Sequence, residues 1–532
     1  MVHLLRRMSE HRHLLRSAST ISLITILSRI FGYIRDSRIA FLLGTGDAAD
    51  AFTIAYRIPN LLRRLAAEGA VNAAVIPVFS AYLSENRKEE AWEFINTLTT
   101  LALVVLTSVT ILGVIFSPFL TGFLATGFQD SPGKLEMTSV LNRIMFPYIT
   151  FITLSALAMG VLNSFHQFVA PALGPVVMNL GVIGFSVMSG FFSDPAMALA
   201  IGVLAGGALQ LGIQIPALVR NGWRLRLAWN LANPGIQRFG RLMLPLLFGF
   251  GIVQINIFVA LQFASHMAEG SVASLYIADR IMELVLGGYT IALSTAILPL
   301  LARQATDKRI DDLKKTLNLA TRLVLFITVP ATVGLMILRR EIIQVLFERG
   351  TFAAASTELT SRPLFYFALG LMTISMVKIM VPAFYALHDT RTPVAVAFLS
   401  MLLNIGLNFL FMGPLQNGGP ALATTLAATF DAGCLLLVFG RKYGSFDLRD
   451  VGRSLSKFVV ASGVMASVTF FLIQLPGFYA GNPAQRVLAL TLTIAVAAGT
   501  YFGSSYLLRT RELDEVWGMY GLRREKQPQL LD

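Results

Sequence analysis

The chain alternates between long apolar runs and short polar turns. About fourteen of the runs have the length that a bilayer demands of a helix. They fall at 17–43, 48–83, 92–117, 138–163, 171–192, 195–220, 238–264, 271–302, 316–338, 360–386, 393–412, 416–440, 454–474 and 484–508. The second and eighth are longer than a bilayer is thick and contain Pro59 with Pro77, and Pro299. Proline removes an intrahelical hydrogen bond, so both runs are expected to bend. The pattern predicts an all-α, polytopic membrane protein.

Composition agrees. Of 532 residues, 55% are hydrophobic and 14% charged, against about 25% charged in soluble domains. A single cysteine, Cys434, excludes an intrachain disulfide and a cysteine-held metal cluster. No histidine pair has the HExxH spacing and no glycine-rich phosphate loop occurs, so the chain reads as a transporter and not an enzyme.

The net charge of +13 would suggest nucleic acid in a soluble protein, but here its placement follows topology. With the N-terminus in the cytoplasm, the inner turns and both ends carry about 26 lysines and arginines against about six outside. Both termini are therefore expected inside, and no nucleic-acid partner is expected. Arg29 and Arg35 interrupt the first apolar run, which reads as a retained span and not a removable signal. The tail after Arg509 is expected to be solvated.

Two pairs of matches share one offset. AYRI (55–58) precedes Pro77 as ADRI (278–281) precedes Pro299, and His166 precedes Pro171 as His388 precedes Pro393. The offset is about 222 residues, or six spans, an even number. Spans one to six and seven to twelve therefore read as two six-helix lobes, parallel repeats about an axis along the membrane normal, with two extra C-terminal helices. The expected organisation is a cytoplasmic N-terminus (1–16), an N-lobe (17–220), a linker (221–237), a C-lobe (238–440), the last two helices (441–508) and a cytoplasmic tail (509–532).

Charge inside the spans points to chemistry. DAFTIAYRIPNLLRRLAAEG (50–69) carries Asp50, Arg57, Asn60, Arg63, Arg64 and Glu68. On a helix, Asp50, Arg57, Arg64 and Glu68 fall within roughly 40° of one another. A membrane helix tolerates such a stripe only against water or an opposite charge. Arg29, Arg35 and Arg280 extend the set. Asp36, Asp279 and Glu283 are its candidate ion-pair partners, too few to neutralise it. Excess arginine around a wet cavity suits a phosphate-bearing ligand, because guanidinium donates paired hydrogen bonds to phosphate oxygens. The second half is more apolar at the matching place, so the cationic wall is expected mainly on the N-terminal half. His166 and His388 read as turn caps, and Asn404 and Asn408 as polar contacts between helices.

SRIFGYIRD (28–36), ADAF (49–52), RIPNLLRRLAAEGA (57–70), ADRIMEL (278–284) and HDTRTPV (388–394) resemble the MurJ (MviN) family, lipid II flippases of the multidrug/oligosaccharidyl-lipid/polysaccharide exporter superfamily. The resemblance runs in order from about residue 17 to 508. It implies fourteen helices in a bacterial cytoplasmic membrane. It implies export of lipid II, undecaprenyl pyrophosphate bearing a disaccharide-pentapeptide, for peptidoglycan synthesis. Arg29, Arg35, Asp50, Arg63, Arg64, Glu68 and Arg280 match its cavity residues, and the last two spans its lipid-tail groove. Some members bind sodium between spans seven, eleven and twelve. Asn256, Asn404, Asn408 and Thr424 lie there, a candidate weak cation site without an evident carboxylate.

The expectation is alternating access driven by membrane potential, with no other cofactor, by a protein acting as a monomer among membrane lipids. The rivals are an exporter of another undecaprenyl-pyrophosphate-linked sugar and a cation-coupled drug antiporter. A membrane-embedded glycosyltransferase would need a large extramembrane loop, and none is evident.

Overall fold

The computed structural model describes residues 2–66, 70–444, 447–475, 479 and 481–519, without the side chains of 2–19, 62–66, 70, 73, 244–257 and 516–519. Among the described residues there is no strand. Twenty α-helices follow in order: α1 (Val2–Leu43), α2 (Asp47–Ala66), α3 (Ala70–Ser84), α4 (Lys88–Ile115), α5 (Ser117–Leu124), α6 (Pro132–Met145), α7 (Tyr148–Ser164), α8 (Val169–Val187), α9 (Pro195–Gly212), α10 (Ile215–Arg220), α11 (Pro234–Ser265), α12 (Ser271–Gly288), α13 (Thr290–Thr306), α14 (Ile310–Phe347), α15 (Ala354–Ala386), α16 (Arg391–Leu415), α17 (Gly418–Tyr443), α18 (Leu448–Ile473), α19 (Pro483–Leu507) and α20 (Arg511–Met519).

Ten segments among the described residues are long and apolar enough to cross a membrane, or eleven if the pair α12–α13, bent by 40°, is one span. They coincide with eleven of the expected runs. The other three run along α1, along α2 with α3, and along α11, each of which includes side chains outside the described set. Large apolar side chains such as Phe409 and Leu437 face outward, as lipid allows and water does not.

The chain divides into two compact units. Unit 1 comprises Met1–Ala273 and Arg349–Ala353; unit 2 comprises Ser274–Glu348 and Ala354–Asp532. In unit 1, one core joins α3, α4, α7 and the start of α11 around Phe79 and Phe94, and a second joins α1, α2, α6, α7, α8 and α9 around Tyr148 and Leu199. Unit 2 has a core built from α13 to α19 around Phe326, Phe384, Phe439 and Phe458.

The duplication is written in the backbone. α4 begins at Lys88 and α14 at Ile310, and α8 begins at Val169 and α16 at Arg391. α3 ends at Ser84 and α13 at Thr306, and α7 ends at Ser164 and α15 at Ala386. Each pair is 222 residues apart. Left-handed residues obey the same offset: Asn86 and Lys308 (φ 62° and 56°), His166 and His388 (57° and 58°), Gly222 and Gly444 (95° and 85°). Side chains other than glycine rarely adopt this conformation, so its recurrence at matched helix ends marks a shared design. The two histidines end their helices in Schellman motifs. Gln167 N donates to Leu162 O and Asp389 N to Phe384 O, both at 2.9 Å. This is the turn-capping role the sequence suggests.

The tail differs from expectation. α20 folds back, with Glu512 and Leu513 almost fully buried. Glu512 accepts from Arg322 Nη1 (2.8 Å) and Ser454 Oγ (2.7 Å), so it joins α20 to α14 and α18. The polar sequence reads as solvated because its counter-charge, Arg322, lies 190 residues away in the chain.

Candidate functional site

Unit 1 holds most of the intramembrane arginines, and they do not share one environment. Arg29 is exposed on α1. Arg35, one face further along, is buried; its Nη1 donates to Asn179 Oδ1 on α8 at 3.0 Å and its Nη2 to Asp36 Oδ1 at 2.7 Å. Asp36 thus pairs with its chain neighbour. Arg38 donates to Ser186 Oγ at 3.2 Å and lies over the Phe41 ring. On α2, Arg57 is half-buried and Asn60 buried. The side chains of Arg63 and Arg64, and all of Glu68, lie outside the described residues.

Asp50 has a different setting from the arginines. Its side chain is 2% exposed and accepts from the backbone N–H groups of Gly270 and Ala273, each at 2.9 Å. These are the cap and third positions of α12, whose first turn leaves such donors unsatisfied. A carboxylate there both caps the helix and meets its positive end. Lys134 Nζ on α6 completes the arrangement, 2.7 Å from both Asp50 and Asp47. Lys134 counts as an outer-loop charge in the sequence, but its side chain is only 8% exposed. Gly270 must be glycine: its φ is +80°, and a Cβ there would lie 1.8 Å from Thr45 O.

In unit 2, Arg280 lies on α12. Its Nη1 pairs with Glu283 Oε2 at 2.8 Å, its Nε donates to Tyr276 Oη at 3.2 Å, and its guanidinium lies over that ring. Asp279 beside it is half-buried. The candidate cation residues partly converge. Asn408 Nδ2 donates to Asn404 Oδ1 (2.9 Å), and Asn404 Nδ2 reaches Thr424 Oγ1 at 3.5 Å. Asn408 Oδ1 is buried with no hydrogen-bond partner among the described residues. The Asn256 side chain lies outside them. Among the described residues no group of three or more His, Cys, Asp or Glu could hold a metal ion.

An apolar cavity of about 580 Å³ in unit 1 is lined by Ile58, Leu61, Leu112, Phe116, Phe123 and Phe258, among others. No charged group lines it, so it is not the anion site.

Comparison with known proteins decides the family. The family described as "Lipid II flippase MurJ" matches residues 39–481. The chain belongs to the MurJ family. Its relatives include a probable lipid II flippase MurJ of Vibrio cholerae, 34% identical over 94% of this chain and 98% of that protein. Another, from Rhizobium meliloti, is 34% identical over 93% of this chain and 94% of its own length. A solved lipid II flippase MurJ in an inward closed conformation superposes with a TM-score of 0.77 at 26% identity, covering 92% of this chain and 98% of that one. An inward-facing multidrug resistance MATE family transporter of the MOP superfamily has a TM-score of 0.64 at 12% identity, over 82% and 99% of the two chains, a likeness of fold alone. The MurJ family consists of transporters, so the chain is a multi-pass transporter of the bacterial inner membrane and not an enzyme.

The sequence reading misses two partners that the fold supplies, Asn179 and Lys134, and one carboxylate, Asp431. Asn179 and Lys134 lie in other helices from the charges they bind, with no local motif to announce them. Asp431 sits inside an apolar run whose hydropathy one charge hardly alters.

Proposed function

We propose that this protein moves lipid II from the inner to the outer leaflet by alternating access. The reading rests chiefly on near full-length similarity to proteins named as lipid II flippases. The arginine excess on α1 and α2 supports it chemically. Arg29, Arg35, Arg57, Arg63 and Arg64, with Asn60, form the cationic wall that receives the pyrophosphate, and Arg280 is a further candidate ligand for it. Forked guanidinium donors suit two adjacent phosphate groups better than point charges do. Glu68 and Asp279 orient arginines, and Asp50 fixes the position of the wall through its hold on α12. The polyprenyl tail stays in lipid beside α18 and α19. The rival sugar-lipid exporter and drug antiporter are outcomes of the test.

The inside-negative potential favours outward movement of anionic cargo by about 2.3 kcal/mol per charge per 100 mV crossed. The Asn404–Asn408–Thr424 group fits sodium poorly. It offers neutral oxygens only, and an uncompensated cation inside a bilayer is costly. We read it as a polar seam between α16 and α17.

Depleting the protein should cause lipid II to accumulate, and purified protein in vesicles should expose it to an outside probe. Accumulation of a different lipid-linked sugar would overturn the lipid II assignment.

A further inference from the structure

Asp431 is half-buried on α17 and makes no hydrogen bond or ion pair with any described residue. It lies about 20 Å along the helix from Gly418 and about 18 Å from Tyr443, the middle of a span. A lone carboxylate at that depth is costly when ionised and marks function by default.

Its surroundings narrow the ligand. α17 packs on α15 and α16. The charged residues of α15 are Glu358, Arg362 and Lys378, and α16 carries only Arg391, in its first turn. Lys378 is nearest in depth, because Thr373 meets Thr429 and Phe384 meets Phe439, yet it forms no ion pair with Asp431. On α17 itself, Cys434 is one turn away and Arg441 and Lys442 are at the far end.

Polar side chains lead toward it along the α16–α17 seam. Asn408 bonds Asn404, Asn404 reaches Thr424, and Ser400 donates to Ala427 O at 2.8 Å. Thr424 and Asp431 are seven residues apart and share a helix face. The matched positions in unit 1 are apolar: the residue 222 positions before Asp431 is Leu209, and the mate of Lys378 is Ala156.

We propose that Asp431 is a proton-binding site that couples transport to the pH gradient, reached from the outer end of the α16–α17 seam. A metal cation would need several oxygen ligands, whereas a proton needs one. The carboxylate takes a proton from hydronium on the outer side, leaving water, and returns it to water on the cytoplasmic side. Protonation removes the buried charge and so favours whichever arrangement shields Asp431 most. The inference rests on the flippase reading only for its transport readout.

The test uses full-length protein in vesicles with the potential clamped, a pH gradient imposed and lipid II exposure measured. One proton per cycle would bias the outward distribution by up to about tenfold per pH unit. Asp431→Asn should abolish the response to pH while keeping the response to potential, and Asp431→Glu should retain both. In parallel, the infrared carbonyl band of a protonated carboxyl should appear and vanish with pH and be missing from Asp431→Asn. An unchanged pH response in Asp431→Asn, or a band that the substitution leaves in place, overturns the proposal. A band that titrates in a protein that moves no lipid II upholds the proton site and overturns the flippase reading instead.

Discussion

The two units share a backbone plan and differ in charge. One tie shows both. In unit 1, Gln167 and Asn221 exchange amide hydrogen bonds at 3.2 and 3.1 Å. In unit 2 the matching residues are Asp389 and Tyr443, and Lys442 Nζ also donates to Asp389 at 2.8 Å. Both ties join the turn after one helix to the end of another. The unit 1 tie is neutral and the unit 2 tie ionic. The same contrast recurs at depth, with arginines on α1 and α2 in unit 1 and the isolated Lys378 and Asp431 in unit 2. Packing preserves the plan because helix ends and bends must recur for the helices to fit. Charge is free to diverge because it serves the ligand.

The largest expected effect comes from removing the cationic wall. Arg29→Ala combined with Arg280→Ala should abolish growth support in a depletion strain while membrane abundance stays normal. Lysine at both positions should restore it only in part, since charge returns without the forked geometry. Full growth with both alanines would defeat the cavity mechanism.

Asp50→Ala should act on folding instead. It leaves Lys134 with only the exposed Asp47 as partner and uncaps the N–H groups of Gly270 and Ala273, and breaking a buried pair costs up to about 3–5 kcal/mol. Folded protein in the membrane should fall, and adding Lys134→Met should recover part of it. A variant that folds normally yet fails in transport would assign Asp50 to the ligand.

Exchanging a residue for its mate in the other unit tests the packing. Gly181 in α8 faces Gly206 in α9, and a Cβ at Gly181 would lie 2.6 Å from Gly206 Cα. The unit 2 mates are Leu403 and Ala428. Gly181→Leu must push the helices apart, at about 1–3 kcal/mol or more. Thermal unfolding in detergent should show it, and an unchanged midpoint would mean that this approach is not tight.

The smallest effect belongs to the ionic tie. Burial raises the Asp389 carboxyl, but hydrogen bonds from Lys442 and Thr392 outweigh it and hold its pKa at about 2. A carboxyl lowered in the folded state stabilises fully above its unfolded pKa, about 3.9. That contribution fades as pH falls toward 2. Lys442 is half exposed, so the tie contributes less than about 1 kcal/mol. Asp389→Asn should flatten the stability profile between pH 4 and 2, and a profile identical to the parent's would remove the tie from the account.

Much of the architecture was legible. The apolar runs follow from local periodicity and the duplication from matches 222 residues apart; the eighth run bends as expected, but at Tyr289 and not at Pro299, which stands inside α13. The site was less so, for a physical reason. Asp50 reads as one member of a charged stripe, because its helix-cap partners lie some 220 residues away. RELDE at 511–515 reads as solvated, because nothing nearby predicts Arg322. Periodicity reports which face of a helix is polar, and only the tertiary fold says what that face meets.

The Arg322–Glu512 pair also has a consequence in time. Its partners are 190 residues apart, and ribosomes add about 5–20 residues per second. Arg322 therefore waits on the order of ten to forty seconds for Glu512. Among its described partners only Asp450, 3.6 Å from Arg322 Nε in the fold, emerges earlier to answer the cation on α14. Unit 2 can reach its final form only after α20 has left the ribosome, so this short helix is a late step in its assembly.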